Sequence, residues 1–217
     1  MINGIRLKVC GITNLADAHA AAGIGADYLG FILHPLSPRH ITPAAYAALA
    51  PHLPVVKKVA VVVMPTRDDL AQAMALGFDF VQLHFPNETS FFEVAGWSDI
   101  VPPARLWMAP RVPPGKELDH AFLPFADTFL VDTFHPDKFG GTGQTGDWPM
   151  FKHYVVTQPR KSWVLSGGLN PENIASAIAA TGATFVDVNS GVESASGVKH
   201  HAKLAALAAA LKLSERL

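Results

Sequence analysis

Trp163-Val-Leu-Ser-Gly-Gly168 and Phe185-Val-Asp-Val-Asn-Ser-Gly191 are two apolar runs of strand length, and each ends in a glycine turn. Glycine leaves the backbone N–H groups of such a turn open to an anion, because no Cβ stands in the way. Two such turns, one helix apart and late in the chain, predict the phosphate site after strands 7 and 8 of a (β/α)8 barrel. The predicted phosphate-binding residues in these loops are Gly167, Gly168, Ser190 and Gly191.

Apolar runs recur along the whole chain, and each precedes a turn and a helix-like stretch. Strands are predicted at residues 5–9, 28–33, 58–63, 80–84, 106–109, 128–131, 162–165 and 185–188. Helices are predicted at 14–22, from 43, at 67–75, 88–94, 148–157, from 170 and at 201–213, with a short helix between strands five and six. This alternation is typical of parallel strands joined by right-handed crossovers.

A doubly wound open sheet would give the same local pattern. Two features favour a barrel: the alternation continues for about eight units, and polar and glycine residues follow strands all along the chain. An open sheet, in contrast, uses chiefly one switch point. No composition shift or long linker interrupts the series, so we predict an α/β fold, a single TIM-barrel domain over residues 1–217.

The composition excludes several classes of protein. A net charge of -1 gives no broad field that would attract nucleic acid or an anionic membrane, so any anion binding must be local. A single cysteine, Cys10, excludes an intramolecular disulfide. The chain shows no signal-peptide pattern and no apolar run long enough to span a membrane, which predicts a cytoplasmic location.

Two residues at strand ends are candidates for acid–base chemistry. Cys10 ends the first strand, and it is either a small buried hydrophobe or a thiolate base or nucleophile favoured by nearby cations. Asp132 ends the sixth strand, and it either caps a turn or acts as a general acid kept protonated by partial burial. Both lie where a barrel carries its reactive groups.

Other rim residues are candidates for binding a substrate. Arg39, in the loop after the second strand, is either a solvated surface residue or the partner of a carboxylate. Gln82 and His84 end the fourth strand, where His84 is better suited to orienting a ligand than to binding metal. If Asp187 faces the barrel interior, it is a hydrogen-bond acceptor for substrate; otherwise it has no chemical role.

The segment Phe139-Gly-Gly-Thr-Gly143 predicts a glycine loop that folds over a ligand, although a plain turn would look similar. Gly141 in this segment is counted among the phosphate-binding residues. The histidines show no metal-ligand spacing, so no metal is expected.

In chain order these segments form one pattern: K-x-C-G-I-T, S-P-R, Q-L-H, L-V-D, F-G-G-T-G, L-S-G-G-L-x-P-x-N and V-D-V-x-S-G-V-E. Over essentially its whole length the chain resembles the phosphoribosylanthranilate isomerase family of tryptophan biosynthesis. The resemblance implies that Cys10 is the general base and Asp132 the general acid. It also implies that Arg39 lies near the anthranilate carboxylate and that Asp187 matches the family's aspartate on strand eight.

The activity implied is that of an intramolecular oxidoreductase, an aldose–ketose isomerase. It converts N-(5-phosphoribosyl)anthranilate into 1-(2-carboxyphenylamino)-1-deoxyribulose 5-phosphate by an Amadori rearrangement, the third step of tryptophan synthesis from chorismate. No cofactor is expected, because the substrate's own nitrogen acts as the electron sink. The expected partner is the small sugar-phosphate substrate, with no nucleic acid and no membrane. The oligomeric state stays open, with a monomer as one option.

Three positions depart from the family pattern. Phe85 stands where the family usually has glycine, Asn189 where it usually has serine, and Gly146 where phenylalanine is common. None of these removes a proposed catalytic group. Phe85 could crowd the aryl end of the site, and Gly146 could loosen the loop after strand six.

Three rival functions fit parts of the pattern. A related isomerase of histidine synthesis resembles a design with two aspartates and two phosphate cradles, whereas this chain has Cys10 and one apparent cradle. A barrel that only senses a sugar phosphate would have no reason to keep Cys10 and Asp132 on facing strands. A thiol redox enzyme would need a second cysteine, which the chain lacks.

Overall fold

The computed structural model describes residues 1–132 and 147–213, and its central feature is a closed barrel of eight parallel strands. The strands follow one another around the barrel in chain order, and the eighth pairs with the first. They are β1 (Arg6–Val9), β2 (Tyr28–Ile32), β3 (Lys57–Val63), β4 (Phe80–Pro86), β5 (Leu106–Arg111), β6 (Thr128–Val131), β7 (Ser162–Leu165) and β8 (Phe185–Val188). The predicted TIM barrel is therefore confirmed against the open sheet.

The α-helices within the described ranges lie around the barrel. They are α1 (Leu15–Gly23), α2 (Pro43–Leu49), α3 (Arg67–Ala75), α4 (Phe91–Ser98), α5 (Trp148–Thr157), α6 (Ile174–Thr181) and α7 (His201–Leu213). After β8, a 3-10 turn at Ser190–Val192 leads into a small antiparallel hairpin, formed by β9 (Glu193–Ala195) and β10 (Val198–Lys199). None of the helices in these ranges is long and apolar enough to cross a membrane.

Local capping signals determine where several helices begin. The side chain of Asn14 accepts a hydrogen bond from the backbone N–H of Asp17 at the start of α1, and Thr42 caps α2 in the same way. Thr66 and Asp69 form a reciprocal capping box at α3. These signals are short-range, so the sequence alone predicts the three helix starts correctly.

Three other helix predictions are wrong. The helix predicted at 88–94 begins instead at Phe91, because the Ser90 hydroxyl caps it. The helix predicted from Asn170 begins at Ile174, because the Asn170 side chain accepts hydrogen bonds from the next turn and holds it outside the helix. The β5–β6 connection contains a 3-10 helix at His120–Phe125 and no α-helix.

Aromatic rings close the amino-terminal end of the barrel interior. Tyr28, Phe80, Trp107 and Phe185 pack there with ring centroids 5.0 to 5.8 Å apart. The guanidinium of Arg6 lies 4.3 Å from the centroid of the Phe185 ring. Among the described residues, these rings block the amino-terminal end, and the cavity opens at the carboxyl ends of the strands.

Phe85 belongs to the layer between the strands and the helices. It is fully buried, and its ring packs 5.3 Å from that of Trp97 and 5.4 Å from that of Phe122. Neighbouring residues of a strand face opposite ways, so Phe85 points outward while His84 points into the barrel. The expectation that Phe85 could crowd the site is wrong.

Asp17 connects α1 to the hairpin and to α7. Its buried carboxylate accepts hydrogen bonds from the backbone N–H of Lys199 at 2.8 Å, from His201 at 2.9 Å and from Asn14 at 2.9 Å. Burial alone would raise the pKa of Asp17, but these hydrogen bonds outweigh burial and hold the pKa below its ordinary value. The carboxylate thus holds the hairpin against the barrel.

We expect Asp17→Asn to lower the free energy of unfolding by about 2 kcal/mol near pH 7, because charged hydrogen bonds to a buried group are lost. The folded-state pKa is depressed, so this stabilisation is complete above about pH 4 and disappears as the pH falls through the folded value. The two proteins should therefore become progressively closer in urea unfolding below about pH 4 and converge once the pH is below the folded-state pKa. The control is Asp68→Asn, at an exposed position of α3. Equal stability of Asp17→Asn and the parent chain at pH 7 would contradict this account.

Candidate active site

A cavity of about 620 Å³ opens at the carboxyl ends of the barrel strands. Almost all of the predicted site residues line it: Cys10, Arg39, Gln82, His84, Asp132, Gly167, Gly168, Asp187, Ser190 and Gly191. Gly141 lies outside the described residues, as does Gly146. Side chains that are distant in the sequence thus meet in one space.

Cys10 and Asp132 lie on the same rim of the barrel. Cys10 extends β1, and its N–H donates to the carbonyl of Val188 at 2.8 Å, which fixes the backbone beside β8. Asp132 directly follows β6 and is half-buried. In the closed barrel, β7 and β8 separate these two strands on one side. The loops after β7 and β8 therefore lie between the thiol and the carboxyl.

The loops after β7 and β8 pack directly against each other. Gly167 and Gly168 both have positive φ, 92° and 62°, a conformation that L side chains rarely adopt. A Cβ at Gly191 would lie 2.1 Å from the carbonyl oxygen of Leu169, so no larger residue fits there. The Asn173 side chain donates to the carbonyl of Gly168 at 2.9 Å. The two glycine turns form one backbone-lined concavity of the kind that binds anions.

A buried ion pair lies below the rim. The ammonium of Lys8 is 3.0 Å from Oδ2 of Asp187, and both side chains are inside the barrel. Burial disfavours the ammonium, but the charges of Asp187 and Cys10 and the hydrogen bonds to both side chains together outweigh burial and raise the pKa of Lys8. Lys8 therefore stays protonated. Asp187 faces the interior, which is the orientation its predicted role requires.

Gln82 and His84 also point into the cavity, 2.7 Å apart between their Nε2 atoms. Strand β4 continues to Pro86, so they lie within the strand and do not end it as predicted. Burial, aided by the charge of Lys8, lowers the pKa of His84 to about 3, so its imidazole is neutral at physiological pH. Within the described ranges, Oε1 of Gln82 and Oδ1 of Asp187 are buried without a hydrogen-bond partner.

Arg39 reaches the cavity from the loop after β2 and pairs with Glu193 of the hairpin. Its Nε and Nη2 atoms contact the carboxylate at 2.9 and 2.7 Å, and Lys199 contacts the same carboxylate at 2.9 Å. Burial would raise the pKa of Glu193, but the hydrogen bond from Arg39 and the charge of Lys199 lower it. Glu193 thus stays charged and holds two cations at the mouth.

Three residues of the site were not predicted from the sequence: Lys8, Glu193 and Lys199. Lys8 could have been found, because it lies two residues before Cys10 and so shares its face of β1. Glu193 is the last residue of the final motif, but its pairing with Arg39 joins segments far apart in the chain. In the described part of the chain, no group of His, Cys, Asp and Glu side chains could hold a metal ion.

Comparison with known proteins agrees with this geometry. The family model "N-(5'phosphoribosyl)anthranilate (PRA) isomerase" matches residues 7–210. The N-(5'-phosphoribosyl)anthranilate isomerase of Synechococcus elongatus is 36% identical over 214 residues, which is 96% of each chain.

Two solved structures are also similar. The phosphoribosyl anthranilate isomerase from Thermus thermophilus superposes with a TM-score of 0.80 at 31% identity, covering 95% of this chain and 98% of that one. A second phosphoribosyl anthranilate isomerase, in complex with reduced 1-(o-carboxyphenylamino)-1-deoxyribulose 5-phosphate, has a TM-score of 0.76 at 32% identity and covers 96% and 98%. With a family match over nearly its whole length, this chain belongs to the N-(5'-phosphoribosyl)anthranilate isomerase family.

Proposed function

We propose that this chain converts N-(5-phosphoribosyl)anthranilate into 1-(2-carboxyphenylamino)-1-deoxyribulose 5-phosphate, with Cys10 as general base and Asp132 as general acid. The observation that carries the proposal is the shared cavity, in which the thiol and the carboxyl flank the two glycine turns. The relative that binds the reduced product supports the same substrate class. In the cell this is the third step of tryptophan synthesis from chorismate.

The reaction begins with opening of the sugar ring. Asp132, in its protonated form, donates a proton to the ring oxygen as the bond from that oxygen to C1′ breaks. The lone pair of the anthranilate nitrogen forms the C1′=N double bond of an iminium ion. This cation acidifies the hydrogen on C2′, and the Cys10 thiolate removes it. The C–H electrons form the C1′=C2′ bond of an enolamine, which becomes the ketone when O2′ loses a proton and C1′ gains one. Each positioned proton transfer typically contributes about 10²–10⁴ in rate.

The phosphate of the substrate anchors the sugar between these two groups. Gly167, Gly168, Ser190 and Gly191 present the backbone of both turns to the cavity. Gly141, which lies outside the described residues, is proposed to contribute to the same phosphate site. A bound phosphate supplies binding energy away from the reacting carbons, which can be used to orient C1′ and C2′.

The remaining polar groups bind the rest of the substrate. Glu193 occupies the Nε–Nη2 edge of Arg39, and Nη1 has no hydrogen-bond partner among the described residues. That nitrogen is the proposed donor to the anthranilate carboxylate. The unpartnered oxygens of Gln82 and Asp187 are proposed to accept from ribose hydroxyls, with neutral His84 beside them.

We further propose that the enzyme acts in the cytoplasm and that the described barrel is one catalytic domain working as a monomer. A reduced thiol at the site suits a reducing compartment. The two proposed catalytic groups, Cys10 and Asp132, line one cavity within a single barrel.

Replacing either proton-transfer group should abolish most of the activity. We expect Cys10→Ala and Asp132→Asn each to lower kcat by at least about 10²-fold, since each removes one positioned proton transfer. The assay follows the loss of anthranilate-adduct fluorescence, and circular dichroism verifies folding. Asp147→Asn is the matched control, because Asp147 is exposed and asparagine can also cap α5. Turnover near that of the parent chain in either variant would remove that residue from its role.

Arg39 should matter chiefly for the carboxylate of the substrate. We expect Arg39→Ala to weaken inhibition by the reduced product about 10- to 100-fold, the usual effect of losing one charged hydrogen bond. Inhibition by an anilino analogue that lacks the carboxylate should be nearly unchanged. Arg67→Ala serves as the control, since Arg67 is exposed. If both inhibitors lose affinity equally, Arg39 does not recognise the carboxylate.

A further inference from the structure

Lys8 is a fully buried cation for which the proposed reaction has so far no role. It is 0% exposed, and its Cα pairs with that of Asp187 in the β1–β8 register. A buried ion pair is weak support for stability, because desolvation offsets most of the attraction. The position of the pair within the site therefore calls for a functional explanation.

The ammonium of Lys8 and the thiol of Cys10 converge on the same space. A Cβ built on Gly30, in the neighbouring strand β2, would lie 2.8 Å from Sγ of Cys10 and 3.0 Å from Nζ of Lys8. Both atoms thus occupy the volume that any other side chain would fill. Residues 8 and 10 also share one face of β1, so the two side chains project to the same side of the strand.

Charged and titratable groups approach Cys10 from several elements. Lys8 lies on the same strand as Cys10, Asp187 on β8 and Lys199 on β10. Three further groups line the same cavity: Arg39, His84 and Asp132. The pKa of the Cys10 thiol lies above its ordinary value, chiefly because of burial. Lys8 opposes this rise most strongly, Asp187 reinforces it, and Lys199 adds a smaller opposing effect. Lys8 is therefore the group best placed to favour the charged sulfur.

We propose that Lys8 is a positioning residue that stabilises Cys10 as a thiolate, with Asp187 fixing the ammonium and Gly30 leaving the space for the contact. This inference rests on the proposed role of Cys10 as base. When the thiolate takes the C2′ proton it becomes a neutral thiol, and the ammonium keeps Asp187 as its counter-ion. The ion pair of Lys8 and Asp187 is neutral overall. Its ammonium therefore stabilises Cys10 only while the sulfur is a charged thiolate.

The test measures the thiolate directly and without turnover. Cys10 is the only cysteine of the chain, so the rate of iodoacetamide alkylation, followed by mass spectrometry against pH, reports this residue alone. We expect Lys8→Met to raise the apparent pKa of alkylation by about one unit or more, because a nearby positive charge is lost. We expect Asp187→Asn to lower the apparent pKa of alkylation, because the Lys8 ammonium then has the Cys10 thiolate as its nearest anion.

Gly30→Ala supplies a second variant that keeps every charge. The added methyl must displace the sulfur or the ammonium, so the apparent pKa of alkylation should rise. Gly23→Ala is the matched control, because a Cβ at Gly23 in α1 meets nothing within 4 Å. If Lys8→Met does not fold, the alkylation profiles of Asp187→Asn and Gly30→Ala test the role of Lys8: the apparent pKa should fall in the first variant and rise in the second.

Opposite shifts in Lys8→Met and Asp187→Asn support the proposal, because a merely structural pair would not shift the profile in two directions. Unchanged profiles, or shifts in the same direction, overturn it. Failure of this proposal can be distinguished from failure of the proposed function. Unaltered turnover in Cys10→Ala would reject Cys10 as the base, whereas an unaltered alkylation profile in Lys8→Met rejects only the role of Lys8.

Discussion

The barrel closes where β8 pairs with β1, and the ion pair of Lys8 and Asp187 lies across that closure. The same register places Cys10 beside Val188, so the sulfur of Cys10 and its neighbouring charges are fixed by one line of backbone hydrogen bonds. If this pairing slipped by one residue, Lys8 and Cys10 would face the helices instead of the interior. The register between β8 and β1 therefore determines both how the barrel closes and which side chains face the interior.

A second set of charges at the mouth extends this arrangement. Glu193 holds Arg39 and Lys199 together, and Asp17 fastens the hairpin that carries two of these three residues. The combined charge of Glu193, Arg39 and Lys199 is positive, whereas the whole chain has a net charge of -1. Attraction for a substrate with a phosphate and a carboxylate is thus local to the site, and salt should weaken it less than attraction at an open surface.

Much of this site could be predicted from the sequence, because its residues stand directly after strands. Cys10, Asp132 and the two glycine turns each follow an apolar run, and in a parallel barrel all such positions share one rim. The predictions that failed depended on competition between local hydrogen bonds or on contacts between residues distant in the sequence. Asn170 carries a helix-start signal but caps a separate turn. The partners of Lys8 and Arg39 lie more than 150 residues away in the chain.

Phe85 illustrates the same limit for packing. Its position after Q-L-H suggested the site, but alternation along β4 turns its ring toward Trp97 and Phe122. The strand also continues two residues beyond His84, which the composition of the segment did not indicate. Motif position alone could not distinguish the two faces of the strand, whereas the register of β4 against β3 does.

In the proposed reaction, a thiol and a carboxyl act on opposite sides of a sugar anchored between them. A crystal structure of the chain with the reduced product bound tests this most directly. We expect the phosphate in the glycine turns, the sulfur of Cys10 within about 3.5 Å of C2′, and the carboxyl of Asp132 next to the oxygen that closes the ring. A sugar bound with C2′ out of reach of the sulfur, or with both groups against the same face, would contradict the account.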